Sequence, residues 1–485
     1  MLFNSYEFIL LYLPVVFAGF FAIARFSRRG AALWLALASL FFYGWWDPRY
    51  VLLLLGSIGF NYVMGYTIAH ARVDDAPTAR GRALLAFAVT ANLALLAYYK
   101  YADFFIGTAN ALAGLDWALW HVVLPLGISF FTFTQIAFLV DAHRGIAREY
   151  NPVHYLLFVT YFPHLIAGPV LHHKQMMPQF GRAETYRLNI ANINLGMTIF
   201  VIGLLKKVLI ADQFALYADP VFNAVQGGAS VTMTEAWIGA LAYTFQLYFD
   251  FSAYSDMAIG LSKLFNVDLP INFNSPYKSR SIVDFWRRWH ITLSNFLRDY
   301  LYISLGGNRH GTVRRYFNLL ATMVLGGLWH GANWTFVLWG TLHGVYLVIN
   351  HGWNALRTRL GIPSVPGGAF LAWLITFIAV VLAWVFFRAT TIESAIRLIE
   401  GAVGLHGFGS FAALAPHVPE SPATLLGWIV AGLLIVKFAP NSLEIAAWLQ
   451  NWKLRGWMLG YAVGAALVFV MLNFSRVSAF IYFNF

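Results

Sequence analysis

The chain has 485 residues, of which 60% are hydrophobic and only 11% charged, and it carries a formal net charge of +11. Soluble domains hold about 25% charged residues because they need polar surface, so this composition excludes an ordinary water-soluble protein and points to lipid as the main solvent. The absence of cysteine excludes disulfides, thiolate metal sites and cysteine nucleophiles.

Apolar runs of about 20 residues, enough to cross about 30 Å of hydrocarbon, recur from end to end. The first, Phe8–Ala24, lacks the basic n-region and small-residue cleavage site of a signal peptide, so it is expected to be a retained span. Arg25, Arg28 and Arg29 follow it. Arg72, Arg80 and Arg82 lie between the runs Tyr50–Ile68 and Ala83–Tyr98, and Arg144 and Arg148 follow Val122–Val140. Basic residues gathered in short loops mark the cytoplasmic side. They place the N-terminus outside and account for the positive charge without a nucleic-acid partner.

Phe162–Pro169 (FPHLIAGP) interrupts the next apolar stretch with two prolines and a glycine. Non-helical backbone at membrane depth is tolerated only against protein or a cavity, so this segment is expected to line a tunnel or pore. His172 and His173 adjoin Lys174 without a carboxylate at ligand spacing, and no metal site is expected. The run Ala236–Ala253 ends in Tyr248–Asp256 (YFDFSAYSD). Its Asp250 and Asp256 do not share a helix face. They are candidates to orient a histidine or to pair with a later basic segment, and structural ion pairing is the plainer reading.

That segment, Asn272–Arg315, is rich in Arg and Lys, and Trp286, Trp289, Leu293, Phe296 and Leu297 fall on one helical face. An amphipathic helix lying near the interface is expected. Arg287 and Arg288 then either anchor anionic lipid or form a basic mouth that draws in an anionic acyl donor.

Phe370–Phe387 and Leu425–Ala439 continue the series, and about 10 to 13 transmembrane and re-entrant helices are expected in all. Backbone groups in lipid must bond within their own segment, which selects helices. Barrel strands would instead alternate polar and apolar over about ten residues. The fold class is an all-α polytopic membrane protein. No repeat or soluble domain is visible, so residues 1–485 are read as one membrane domain.

Ionisable groups inside lipid are costly and each is a site candidate. Phe317–Asn350 holds two histidines and no other ionisable side chain except tyrosine. His330 sits in Gly327-x-x-x-Gly331 and His343 in Gly340-x-x-x-Gly344, where small residues let helices approach closely. A buried neutral imidazole can take a proton from an alcohol and return it to a leaving group; the alternative is a histidine that only bonds across helices. His290 is a third candidate. It ends Trp-Arg-Arg-Trp-His, and Arg287 is expected to depress its pKa. Phosphate-loop, nucleophile-elbow and His-Glu-x-x-His motifs are absent from the sequence.

Four stretches, Phe162–Pro169, Gln246–Gly260 (QLYFDFSAYSDMAIG), Phe285–Gly307 (FWRRWHITLSNFLRDYLYISLGG) and Leu325–Asn333 (LGGLWHGAN), make the chain resemble the membrane-bound O-acyltransferase (MBOAT) family, in its bacterial alginate O-acetylation branch. The opening LFNSYEFILLYLP and closing SAFIYFNF extend the likeness over nearly the whole chain, with the core motifs within residues 120–350. The resemblance implies a ring of helices around a central tunnel, the catalytic histidine at His330 and the second important one at His290. It implies a multi-pass protein of the cell inner membrane that binds no cofactor and uses a cytoplasmic acyl thioester, acetyl-CoA, as substrate. The acyl group, expected to be acetyl, would go to an extracytoplasmic polysaccharide such as alginate, with help from an extracytoplasmic acetyltransferase partner.

In the related teichoic-acid system a small partner ends in a tyrosine thought to receive the acyl group. Tyr482 resembles that residue and is a candidate relay, against the simpler reading of an aromatic interface anchor. A transporter or flippase for a polysaccharide or lipid-linked precursor is the competing class. Transporters pair broken segments in two halves, and Phe162–Pro169 has no second copy.

Overall fold

The computed structural model describes residues 1–74, 76–147, 150–363, 366–409, 421–451, 456–474 and 480–481. Among them the chain is helical almost throughout. Strand is confined to the two-residue segments Arg72–Val73 and Ala76–Pro77, which pair antiparallel. Among the described residues five helices are long and apolar enough to cross a membrane: Glu7–Ala24, Arg49–His70, Ala79–Ala113, Ile190–Gln226 and Gly368–Arg388. A sixth crossing is available if the bent pair Ala423–Phe438 and Ser442–Asn451 counts as one. The larger expected number included re-entrant segments, and the runs Val122–Val140 and Ala236–Ala253 fall on the helices Ile128–Arg144 and Met233–Leu264, which are not among these five. The protein is an all-α, multi-pass membrane protein.

The chain divides into two compact units. The first takes in Met1–Leu204, Tyr254–Ile271 and Ala446–Asn484. In it, Ser27 caps the Arg28–Gly44 helix by accepting from the Gly30 N–H, and Trp34 Nε1 donates to the Val16 carbonyl at 3.1 Å. The bare Gly19 leaves room for that indole. Polar side chains tie these helices together where lipid offers no competing partner. Asn61 and Asn92 exchange amide hydrogen bonds of 3.1 and 2.7 Å between the Arg49–His70 and Ala79–Leu96 helices, and Gln135 donates to Ser57 at 2.9 Å.

Phe162–Pro169 also lies in the first unit. The helix Pro152–Thr160 stops before it, and no helix resumes until His173. The expected break is present, but its residues are buried against protein. Phe162 packs on Phe8, Tyr12, Phe42 and Phe265, and Leu165, Ile166 and Ala167 are buried beside it. Protein packing, one of the two environments open to bare backbone in a bilayer, is what supports it.

The second unit comprises Leu205–Ala253 and Asn272–Ile445. Its centre is a hairpin of the Gly311–His330 and Trp334–Leu360 helices. Glycines set the crossing: a Cβ on Gly327 would run into the Phe336 carbonyl and come within 3.1 Å of Gly340 Cα, and one on Gly340 would strike the Met323 carbonyl. Against it packs Gly368–Arg388, anchored by Trp384 Nε1 donating to Tyr277 Oη at 3.1 Å and Trp373 Nε1 donating to the Tyr277 carbonyl at 2.8 Å.

The Asn61–Asn92 pair gives a direct test. Asn61→Leu strands the Asn92 amide in an apolar interface and should lower the detergent unfolding midpoint, at a cost of about 1–3 kcal/mol. The double variant Asn61→Leu/Asn92→Leu should recover most of that loss.

Candidate active site

Two histidines, His290 and His330, approach each other in the second unit, and a third, His343, shares the Trp339 ring with His330. His290 is fully buried and reached through a broken segment, not the continuous amphipathic helix expected. Ser281 caps Ile282–Trp286 by accepting from the Asp284 N–H. The backbone then turns, and His290 takes a left-handed conformation (φ +43°) before Ile291–Phe296 begins. Such a φ is uncommon for a side chain with a Cβ, and here the surrounding bonds hold it. Ile291 N–H donates to the Asn272 carbonyl at 2.9 Å. Asn272 Oδ1 lies 3.1 Å from His290 Nδ1 and accepts from the Thr292 N–H at 3.3 Å and Thr292 Oγ1 at 2.9 Å. The apolar face read from sequence is nonetheless real, since Trp289, Leu293, Phe296 and Leu297 are all buried.

These bonds fix the tautomer of His290. A backbone N–H can only donate, so the Asn272 atom facing Thr292 is the oxygen, and His290 must present its proton to that oxygen from Nδ1. Nε2 is then the lone-pair nitrogen. Burial pushes the His290 pKa well down. Arg287, the expected cause, is not responsible and its side chain is exposed.

His330 is the last residue of its helix, and the chain leaves through extended Gly331. Asn333 makes the reversal. It caps Trp334–Leu360 by accepting from the Thr335 N–H, and its amide donates to the Thr390 carbonyl at 2.9 Å. The His330 ring centroid lies 6.3 Å from that of His290 at 60°. That is too far for a bond between ring nitrogens, whose hydrogen bonds run to about 3 Å. Trp329, Trp339 and Phe387 stand edge-on to His330 at 4.9, 5.1 and 5.3 Å.

His343, on the partner helix of the hairpin, is fully buried. It touches Trp339 at 4.9 Å and lies parallel to Phe285 at 6.0 Å. Trp286 Nε1 donates to its Nδ1 at 3.3 Å. An indole nitrogen only donates, so the neutral imidazole carries its proton on Nε2, the reverse of His290.

The remaining sequence candidates separate. Arg288 is tied to Asp284 at 2.9 Å and to the Asn274 carbonyl at 3.3 Å, while Arg287 is exposed. Asp250 pairs with Lys207 at 2.7 Å, and Lys207 also holds Asp212 at 2.8 Å. This structural ion pair joins Asp250 to a lysine that lies outside the Asn272–Arg315 segment. Asp256 belongs to the first unit and is buried there. Tyr482 lies outside the described residues.

Sequence spacing missed Asn272, Trp286 and Lys207, each distant in the chain from the residue it holds. It also missed Asp141 Oδ2, 3.3 Å from His173 Nδ1 in the first unit. Among the described residues no cluster of His, Asp and Glu is arranged to hold a metal.

The hairpin and its histidines fall within residues 90–396, which match the model of the membrane-bound O-acyltransferase family. The chain belongs to that family. It is 46% identical over 434 residues to a peptidoglycan O-acetyltransferase of Helicobacter pylori, covering 84% of this chain and 80% of the relative. It is 42% identical over 444 residues to a probable alginate O-acetylase of Pseudomonas aeruginosa, covering 90% and 81%. A teichoic acid D-alanyltransferase of Streptococcus thermophilus is 29% identical over 285 residues, covering 54% and 68%. The MBOAT chain is thus a membrane acyltransferase, and the transporter reading falls away.

In this MBOAT chain the buried Lys207 cluster predicts a stability effect. Lys207→Met removes the cation that contacts both carboxylates and should cost about 3–5 kcal/mol, read as a lower unfolding midpoint and lower membrane abundance. Adding Asp250→Asn should restore part of it. An unchanged midpoint in the single variant would show that the cluster is hydrated and not a buried ion pair.

Proposed function

We propose that this protein carries an acyl group, acetyl in the first instance, from a cytoplasmic thioester of the acetyl-CoA type to hydroxyls of an extracytoplasmic polysaccharide, with His330 as the general base. The observation that carries the reading is the approach of His330 and His290 in one buried, aromatic-walled site. Names given to relatives, alginate O-acetylase and peptidoglycan O-acetyltransferase, support a polymer acceptor and the acetyl group. The setting is the cell inner membrane, and an extracytoplasmic acetyltransferase partner completes delivery to the polymer.

In this mechanism the acceptor hydroxyl gives its proton to His330 as its oxygen attacks the thioester carbonyl carbon. The imidazolium returns that proton to the departing thiolate. A positioned base of this kind contributes roughly 10²–10⁴-fold in rate. His290, with its proton held on Nδ1 by Asn272, offers a lone pair at Nε2. That suits it to hold a hydroxyl or amide N–H of a substrate in place. It does not suit it to stabilise a developing oxyanion, which needs a donor. Arg287, exposed on the same segment, supplies positive charge for steering an anionic donor.

The test is alkali-labile acetyl ester in the extracellular polymer of cells carrying wild type, His330→Ala or His290→Ala, with membrane abundance matched by immunoblot. His330→Ala should remove about 99% or more of the ester-forming rate, and His290→Ala should reduce it. Normal ester in the His330 variant would rule this residue out as the base. The relay role of Tyr482 is tested alongside: Tyr482→Phe abolishes ester if the phenol carries the acyl group and leaves it unchanged if the ring is only an interface anchor.

A further inference from the structure

The charge that develops on the thioester carbonyl needs hydrogen-bond donors, and His290 turns the wrong face for that task. Two other buried donors are present. His343 Nε2 is protonated because Trp286 occupies Nδ1, and no hydrogen-bond partner faces that Nε2 among the described residues. Trp339 Nε1, an obligate donor, is likewise buried without a partner. The two rings are neighbours, 4.9 Å apart, one turn from each other on the same helix. Trp339 also touches His330 at 5.1 Å, so it bridges the candidate base and the second donor.

The surrounding ring contacts come from Phe285, Trp286, Tyr346, Trp384 and Phe387. Tyr346 carries a phenol, yet among the described residues neither its oxygen nor any other atom accepts from the His343 or Trp339 N–H. Buried N–H groups in native proteins nearly always have an acceptor. A pair of them beside a candidate general base, with the protonation of one imposed by a third residue, is what an oxygen-binding slot requires.

We infer that Trp339 Nε1–H and His343 Nε2–H form a donor pair for the carbonyl oxygen of the acyl thioester. The inference rests on His330 as the base. As the acceptor oxygen bonds to the carbonyl carbon, the carbonyl electron pair moves onto oxygen and is held by the pair, while His330 takes the hydroxyl proton. The pair of electrons then returns, the carbon–sulfur bond breaks, and the thiolate leaves with the proton from His330. Trp286 is a positioning residue that acts only through the tautomer of His343.

The experiment is a short pulse of labelled acetate to cells expressing each variant at matched abundance, followed by the initial rate of labelled ester appearing in the extracellular polymer. The unfolding midpoint of each purified variant is measured in parallel. His343→Phe keeps the flat ring and deletes the donor, and Trp339→Phe does the same at the indole. Each should lower the rate by about 100-fold, as loss of one oxyanion donor does elsewhere, with the midpoint little changed. His343→Gln, which can present an amide N–H in the same direction, should stay within about tenfold of wild type.

A wild-type rate in both Phe variants beside an inactive His330→Ala would overturn the donor pair while leaving the base intact. Equal losses in His343→Phe and His343→Gln would also overturn it, because shape and not the proton would then matter. A wild-type rate in His330→Ala would remove the base on which the pair depends.

Discussion

The close crossing of the Gly311–His330 and Trp334–Leu360 helices is the constraint on which the site depends. At Gly327 and Gly340 backbone meets backbone, with no room for a Cβ on either side. That approach puts the end of one helix, with His330, beside the face of the other that bears Trp339 and His343. In lipid there is no hydrophobic drive to bring helices together, so packing of small residues and interhelical bonds must do it. The aromatic side chains around the crossing then fill the space that the glycines leave.

Within that frame, fixed proton positions distinguish the histidines. Asn272 holds the His290 proton on Nδ1 and Trp286 leaves the His343 proton on Nε2. One ring offers a lone pair and the other a donor, although both are fully buried. Which nitrogen is protonated is set by the bond the other nitrogen makes, so residues such as Asn272 and Trp286 matter through the imidazoles they orient. The left-handed backbone at His290 belongs to the same arrangement, since the Asn272 bonds hold the turn and the ring together.

Much of this was legible in the sequence. Charge-poor apolar runs imply the helical membrane class, the small-residue spacings mark where helices approach closely, and ionisable groups in an apolar stretch single out His330 and His343. The family resemblance rested on stretches that also carry His290. What stayed hidden depends on long-range pairing. Asn272 reaches His290, Lys207 reaches Asp250, Asp141 reaches His173 and Trp286 reaches His343 through folding, and no spacing along the chain announces those contacts. Helical periodicity correctly gave the buried face of Trp289, Leu293 and Phe296, yet it cannot register a single left-handed residue that breaks the helix between them. The break at Phe162–Pro169 was visible from its prolines, whereas its aromatic packing partners come from segments far away in the chain.

The proposed chemistry requires His290 and His330 to act on one reacting centre. A double-mutant cycle on the rate of ester formation tests it most directly, using His290→Ala, His330→Ala and the pair together at matched abundance. Residues that act as a unit are strongly non-additive, so the double variant should be no slower than the His330 variant alone, within about threefold. Losses that multiply across the two positions would instead place the histidines in separate tasks and rule out a shared centre.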